Sequence, residues 1–317
     1  MFYQHKNKHI LTFLPKHDKM KSTSFLILIL LSTLSFSQRT DFTVTNGLPQ
    51  IGNPAFTGTA ESGRANYGFM LRDPSLSLYG VAHYLAYDQY VNKLRGGIGV
   101  QLLTDRTGNG ITKTKSLGIN YAFQQNLGES FTLSAGAGVM LKNEQMDFTT
   151  LFPYYTDSIA SKNYFEFTAG LVLYSEHVFA GIQYAPFNYD YYNYDDTFTQ
   201  RIHYFNSFIG YQLTPFTNKN LSFNTSINFA TQNSFHELSI QGIFNTKFFS
   251  LGSRYLFEDE ISFLAGVNFW KLNLKYAYTI GISKLTNSSS SGHQFILQFN
   301  LPNKIERSPN AFKMNLY

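Results

Sequence analysis

The chain has 317 residues, 43% hydrophobic, 17% aromatic and 14% charged, with 22 Tyr, 31 Phe, 1 Trp and no Cys. About a quarter of residues are charged in an ordinary soluble protein, so this composition does not describe one, and the even spread of aromatics excludes a disordered chain. A mean hydropathy of −0.19 excludes a polytopic helical membrane protein, and the lack of Cys excludes disulfide scaffolds, thiolate metal sites and Cys nucleophiles.

The first element in chain order is a leader. Met20-Lys21-Ser22-Thr23-Ser24 precedes an apolar run from Phe25 to Leu34, and Ser35-Phe36-Ser37-Gln38 follows. A basic start, a short apolar centre and a small-residue end are the parts of a secretory signal peptide. Residues 20–37 are therefore expected to be the signal peptide, and 1–19 a misassigned upstream start. No Cys follows, which excludes a lipoprotein. The formal charge of +5 and pI of 9.1 come mostly from this leader. Without its five lysines (6, 8, 16, 19, 21) and Asp18, the chain keeps 20 basic and 19 acidic residues. A nucleic-acid partner thereby loses its electrostatic support.

Residues 38–63 come next and are rich in turn formers: Asn46-Gly47, Pro49, Gly52, Asn53-Pro54 and Gly58. They are expected to fold into a barrel lumen, or against its periplasmic mouth, or to form a periplasmic strap. From residue 64 the chain alternates with the two-residue period of a strand. Ile98, Val100 and Leu102 alternate with Gly97, Gly99 and Gln101, and Leu272, Leu274, Tyr276 and Tyr278 with Asn273, Lys275, Ala277 and Thr279. About fourteen such segments can be counted, near 64–71, 75–87, 94–104, 111–123, 131–142, 164–174, 177–186, 201–213, 220–230, 235–244, 248–257, 260–269, 272–282 and 293–301. Most are long enough to cross a hydrocarbon layer as tilted strands. Strands can do so only as a closed barrel, because lipid offers no partner to an unpaired backbone N–H or C=O. The expected fold is all-β: a transmembrane antiparallel barrel of about fourteen strands over 64–301, preceded by a signal peptide and followed by a periplasmic tail, 302–317. The three longest connections, 143–163, 187–200 and 283–292, fall on one side, which puts that side outward and both chain ends in the periplasm.

Little in the sequence carries chemistry. His83, His177, His203, His236 and His293 lack metal or nucleophile spacing, and no acidic cluster has ligand spacing. No catalytic residue, cofactor or metal site is expected, although a Ser–His–acid site assembled across strands would leave no local motif. Asp105-Arg106-Thr107-Gly108-Asn109-Gly110 lacks the ligand alternation of a calcium loop and reads as a turn, with Asn109-Gly110 supplying positive φ. Ala135-Gly136-Ala137-Gly138 continues a strand, and its inward glycines leave room for a close-packed chain segment. Arg64, Arg72, Arg95, Glu166, Arg254 and Lys275 are expected to face inward and make the lumen polar. Tyr189, Tyr191, Tyr192 and Tyr194 form an unusual aromatic stretch. It reads either as a partner-binding loop, since Tyr gives broad contact at small entropic cost, or as aromatic girdle or an extended strand.

Taken together, the motifs resemble the PorP/SprF family of outer-membrane proteins associated with the type IX secretion system of Bacteroidetes. The family's Asn-Pro-Ala-aromatic-x-Gly motif is matched by Asn53-Pro54-Ala55-Phe56-Thr57-Gly58. Its glycine-rich strand and turn are matched by Gly96-Gly97-Ile98-Gly99 and by Asp105, Gly108 and Gly110. Tyr121-Ala122-Phe123, Phe167-Thr168-Ala169-Gly170, Phe179-Ala180-Gly181 and Tyr276-Ala277-Tyr278 follow in order, so the resemblance covers about residues 41–300. It implies a non-catalytic barrel that works with type IX components to export or hold secreted surface proteins, including adhesins used in gliding motility. The alternative is a channel for a small or apolar solute.

Overall fold

A computed structural model describes residues 48–77, 79–147, 159–192, 197–215, 220–233, 235–283 and 291–301. The expected upstream segment and signal peptide, residues 38–47, the tail 302–317 and Tyr194 lie outside the described residues.

Fourteen antiparallel strands close on themselves, with β14 paired to β1. They are β1 (Gly63–Arg72), β2 (Gly80–Val91), β3 (Gly96–Thr107), β4 (Thr112–Leu127), β5 (Phe131–Asp147), β6 (Ile159–Tyr174) and β7 (Val178–Tyr192), then β8 (Thr197–Leu213), β9 (Ser222–Gln232), β10 (Phe235–Asn245), β11 (Phe249–Leu256), β12 (Glu260–Phe269), β13 (Leu272–Gly281) and β14 (Ser291–Leu301). The alternation decides the faces. Ile98, Val100 and Leu102 are exposed on the outer wall, whereas Gln101, Asn120, Ser134 and Gln183 are buried on the inner one. Val100 lies opposite Ile119 and Gln101 opposite Gly118, so a one-residue slip would turn every apolar side chain into the bore. Aromatic side chains mark both rims, as at membrane–water interfaces. Phe248 and Trp270 stand at one end beside Lys247 and Lys271. Near the other, outward His83, His203 and His293 each face a tyrosine, with Nδ1 2.7–3.0 Å from the hydroxyls of Tyr67, Tyr184 and Tyr276.

One end carries the connections 92–95, 128–130, 175–177, 214–221, 246–248 and 270–271; the other carries 73–79, 108–111, 148–158, 193–196, 233–234, 257–259 and 282–290. The two longest lie together on the second end, the long-loop end. Two expectations need correction. The connection expected over 187–200 shrinks to 193–196, because β7 runs on to Tyr192 and β8 starts at Thr197, paired Tyr192↔Thr197. Thr, Phe and Tyr suit a pleated ladder better than an open loop. Arg95 does not face the bore: it lies in the β2–β3 turn at φ 49°, exposed.

Strands β4 to β8 have 15–17 residues against 8–11 for β9 to β14, and the extra length is not fully joined into the wall. The β6–β7 ladder has six rungs, Tyr174↔Phe179 to Ala169↔Tyr184. Pro186, two residues further on, has no N–H to give to a neighbour. Beyond that point, among the described residues, β6 pairs only with β5, and β7 only with β8. The β8–β9 ladder likewise ends at Tyr204↔Gln232. The upper β7–β8 hairpin is thus a two-stranded ribbon with a notch beside it, between β6 and β7.

Candidate functional site: a segment across the bore

Residues ahead of β1 lie inside the barrel. A single helical turn, α1 (Pro49–Gly52), is followed by a 3-10 turn, Pro54–Phe56, with proline at the start of each, where no N–H is required. Leu48 is fully buried and belongs to an apolar cluster with Met70 of β1, Tyr84 of β2, Ile243 of β10, Leu264 of β12 and Ile296 of β14. Phe56 is in a second cluster with Val172 and Tyr174 of β6 and Phe179 of β7, and stacks on Phe208 of β8 at 5.6 Å. In the strand order these clusters sit on opposite walls. The segment therefore crosses the bore.

It then returns along the wall, and every step is held by polar contacts. Asn53 caps the 3-10 turn by accepting the Ala55 N–H at 2.9 Å and donates to the Ile182 carbonyl of β7 at 2.8 Å. Ser134 of β5 donates to the Ala55 carbonyl at 2.6 Å, and Gln124 of β4 to the Thr57 carbonyl at 3.1 Å. Asp88 of β2 receives the Gly58 N–H at 2.6 Å and both Nε and Nη2 of Arg64, at 3.0 and 2.9 Å. Arg64 Nη2 also reaches the Phe56 carbonyl at 3.2 Å. The Asp88 side chain is fully buried and that of Arg64 is 7% exposed. Bidentate, hydrogen-bonded pairing is the geometry in which a buried ion pair offsets its desolvation.

Glycine makes the fit possible. A Cβ at Gly97 would lie 2.1 Å from the Thr57 carbonyl oxygen, one at Gly136 2.3 Å from Ala55 N, and one at Gly170 2.0 Å from Asn53 Oδ1. Gly58, at φ 67°, would meet Gly97 Cα at 2.4 Å. Strands β3, β5 and β6 each give up a side chain where the segment presses against them.

The structure divides the residues singled out by sequence. Asn53, Pro54, Ala55, Phe56 and Gly58 come together with Gly97 and Gly99, and the room left by Gly136 is filled by Pro54 and Ala55. Gly96 opens that strand but meets the β4 backbone instead. Asp105, Gly108 and Gly110 are not part of this site. Asp105 pairs with Arg72 at the long-loop end, and Gly108, Asn109 and Gly110 form the turn with φ of 64°, 56° and 94°. Tyr189, Tyr191 and Tyr192 lie on the last part of β7, within the ribbon. Sequence reasoning missed Asp88, Ser134 and Gln124. A lone Asp near a strand end carries no motif, and the only signal available was its inward parity opposite Arg64 (Arg64↔Asp88). Elsewhere in the bore Lys142 pairs with Glu166 at 2.7 Å, and Glu166 and Lys275 are buried there as expected. Among the described residues, no group of three or more His, Asp or Glu could hold a metal ion.

The chain can be compared with known proteins on this basis. No curated protein matches it. Among solved structures it is similar to the toluene transporter TodX of P. putida, with 10% identity, 79% of this chain and 93% of that chain covered, and a TM-score of 0.47. It is also similar to the CymD monoaromatic hydrocarbon channel (10%, 85% and 96%, 0.49) and to the KdgM porin (10%, 75% and 99%, 0.39). The model of one family, described as type IX secretion system membrane protein PorP/SprF, matches residues 32–299. That match takes in the inserted segment and nearly the whole wall around it: the chain belongs to the PorP/SprF family of type IX secretion system membrane proteins, as an outer-membrane barrel.

Proposed function

We propose that the protein is a non-catalytic barrel that assists type IX secretion, or holds particular secreted proteins such as adhesins at the cell surface, with both chain ends on the periplasmic side. The observation that carries this reading is the segment Leu48–Gly58, which crosses the bore and is fixed to the wall by Asp88, Ser134 and Gln124. A barrel filled in this way is suited to holding a partner rather than to passing solutes. The ribbon supports the same reading. A two-stranded hairpin is marginal by itself, and the edges of β6 and β7 that are not laddered to each other beyond Ala169↔Tyr184 are a template for an added strand. A secreted partner engages there, along the notch and across Tyr189, Tyr191, Tyr192 and Tyr194.

The test is quantitative proteomics of the cell surface and culture medium in a deletion strain. Loss of one or two large proteins from the surface is expected, and those proteins are the clients. An unchanged surface proteome, together with conductance by the purified protein in planar bilayers, would replace this reading with the solute channel.

A further inference from the structure

The outer wall near the long-loop end carries a feature that neither the bore nor the ribbon uses. Arg106 of β3 and Lys113 of β4 are directly opposite one another, and Lys115 sits opposite Thr104 two rungs lower. All three have the outward parity of the exposed Leu102 and Leu117. Like charges facing each other across a ladder repel. Among the described residues, none of the three has an ion-pair partner. The neighbouring positions on β5 are Asn143 and Gln145, both uncharged. On the same face of β5, Asp147 lies two rungs beyond Gln145, at the strand end, with its N–H on the Ile111 carbonyl at 2.7 Å.

Below this patch, on the same strands, the outer wall is dented. The small side chain of Ala137 on β5, opposite Tyr121 of β4, leaves a cavity of about 520 Å³ bounded by Ile98, Val100, Ile119, Tyr121, Val139 and Phe167. Its walls are almost wholly apolar. Ile119 lies four positions along β4 from Lys115, about 13 Å of strand. An anion held at the patch would thus have an acyl-sized groove beneath it.

We infer that Arg106, Lys113 and Lys115, with the groove over Ala137, form a site on the lipid-facing wall for a phosphorylated glycolipid, the lipid A type of the outer leaflet. The headgroup phosphate neutralises the cross-strand repulsion, and an acyl chain fills the dent. A soluble anion would use the cations and leave the groove empty; an uncharged lipid would do the reverse. This inference uses the outward placement of the long-loop end and is independent of the secretion reading.

The test is native mass spectrometry of the full-length protein in detergent micelles, titrated with monophosphoryl lipid A. One tightly retained lipid per barrel is expected. A cation beside a membrane surface is worth about a fivefold change in binding, so the combined variant Arg106→Gln, Lys113→Gln, Lys115→Gln is expected to bind roughly 100-fold more weakly. Ala137→Phe, which fills the dent, is expected to weaken lipid binding without touching a charge. The paired variant Lys247→Gln, Lys271→Gln at the opposite end is expected to bind as the unaltered protein does. Heat-modifiable gel migration checks that each variant is folded. The inference is overturned if the triple variant retains the lipid, if the opposite-end variant loses it equally, if millimolar inorganic phosphate displaces it, or if phosphatidylglycerol binds more tightly.

Discussion

Asp88 ties the end of the inserted segment to the wall and to β1, because one carboxylate receives both the Gly58 N–H and the Arg64 guanidinium. Asp88→Asn keeps the shape and removes the charge, leaving Arg64 buried without a counter-ion. Breaking a buried pair in this way costs about 3–5 kcal/mol, so the variant is expected to release the segment to protease in detergent while the barrel keeps its heat-modifiable migration. Phe56→Ala removes the anchor stacked on Phe208 and costs about 3–5 kcal/mol by cavity formation. It is expected to give the same cleavage pattern, without the salt dependence that a charge change brings. At Gly97 the effect comes from the wall: Val there would occupy the place of the Thr57 carbonyl. Gly97→Val is expected to expel the segment and raise conductance in planar bilayers by an order of magnitude, whereas the same change at Gly128, with open space around it, strains only a turn.

At the scale of elements, all fourteen strands were legible, because each is wet or polar on one face and greasy on the other, and that difference leaves a two-residue period. Strand ends were less legible. The period continues past the membrane wherever a hairpin projects, so residues 187–200 read as a loop when most of them are ladder. Pro186 was a usable signal for the notch, since proline inside a strand marks an edge. The turn formers and the inward glycines pointed to a segment in the lumen, but the roles of Asn53–Gly58 could not be read from sequence, because the contacts that define them come from eight different strands. Asp88 was illegible for the same reason. The ribbon and notch carry their own prediction. Charged substitutions at Tyr189, Tyr191 and Tyr192 are expected to leave barrel folding and outer-membrane level unchanged but to deplete the client proteins from the cell surface, as measured by surface proteomics. Depletion of the barrel itself would instead mean that the ribbon is needed for folding.

For the whole molecule, the bore divides into two regions. The Phe56 cluster and the contacts of Asn53–Gly58 lie towards the short turns, whereas the Leu48 cluster, with Met70, Tyr84 and Leu103, reaches towards the long-loop end. Polar side chains line the rest, with the Lys142–Glu166 and Arg72–Asp105 pairs towards the long-loop end.

The same segment constrains the order in which the molecule can be made. Leu48–Gly58 precede β1 in the chain, yet they end up enclosed by a wall that is complete only when β14 pairs with β1 over ten rungs, Gly63↔Leu301 to Arg72↔Gly292. Once the wall is sealed the segment can enter only through a mouth, so the first part of the chain is expected to lie across the unfinished sheet when the last strand arrives. Closure and threading would then be one event in time. A chain lacking residues 48–58 separates them, and in refolding from urea into micelles it is expected to reach the heat-modifiable form sooner than the intact chain, at the cost of the stability that the segment lends once it is enclosed.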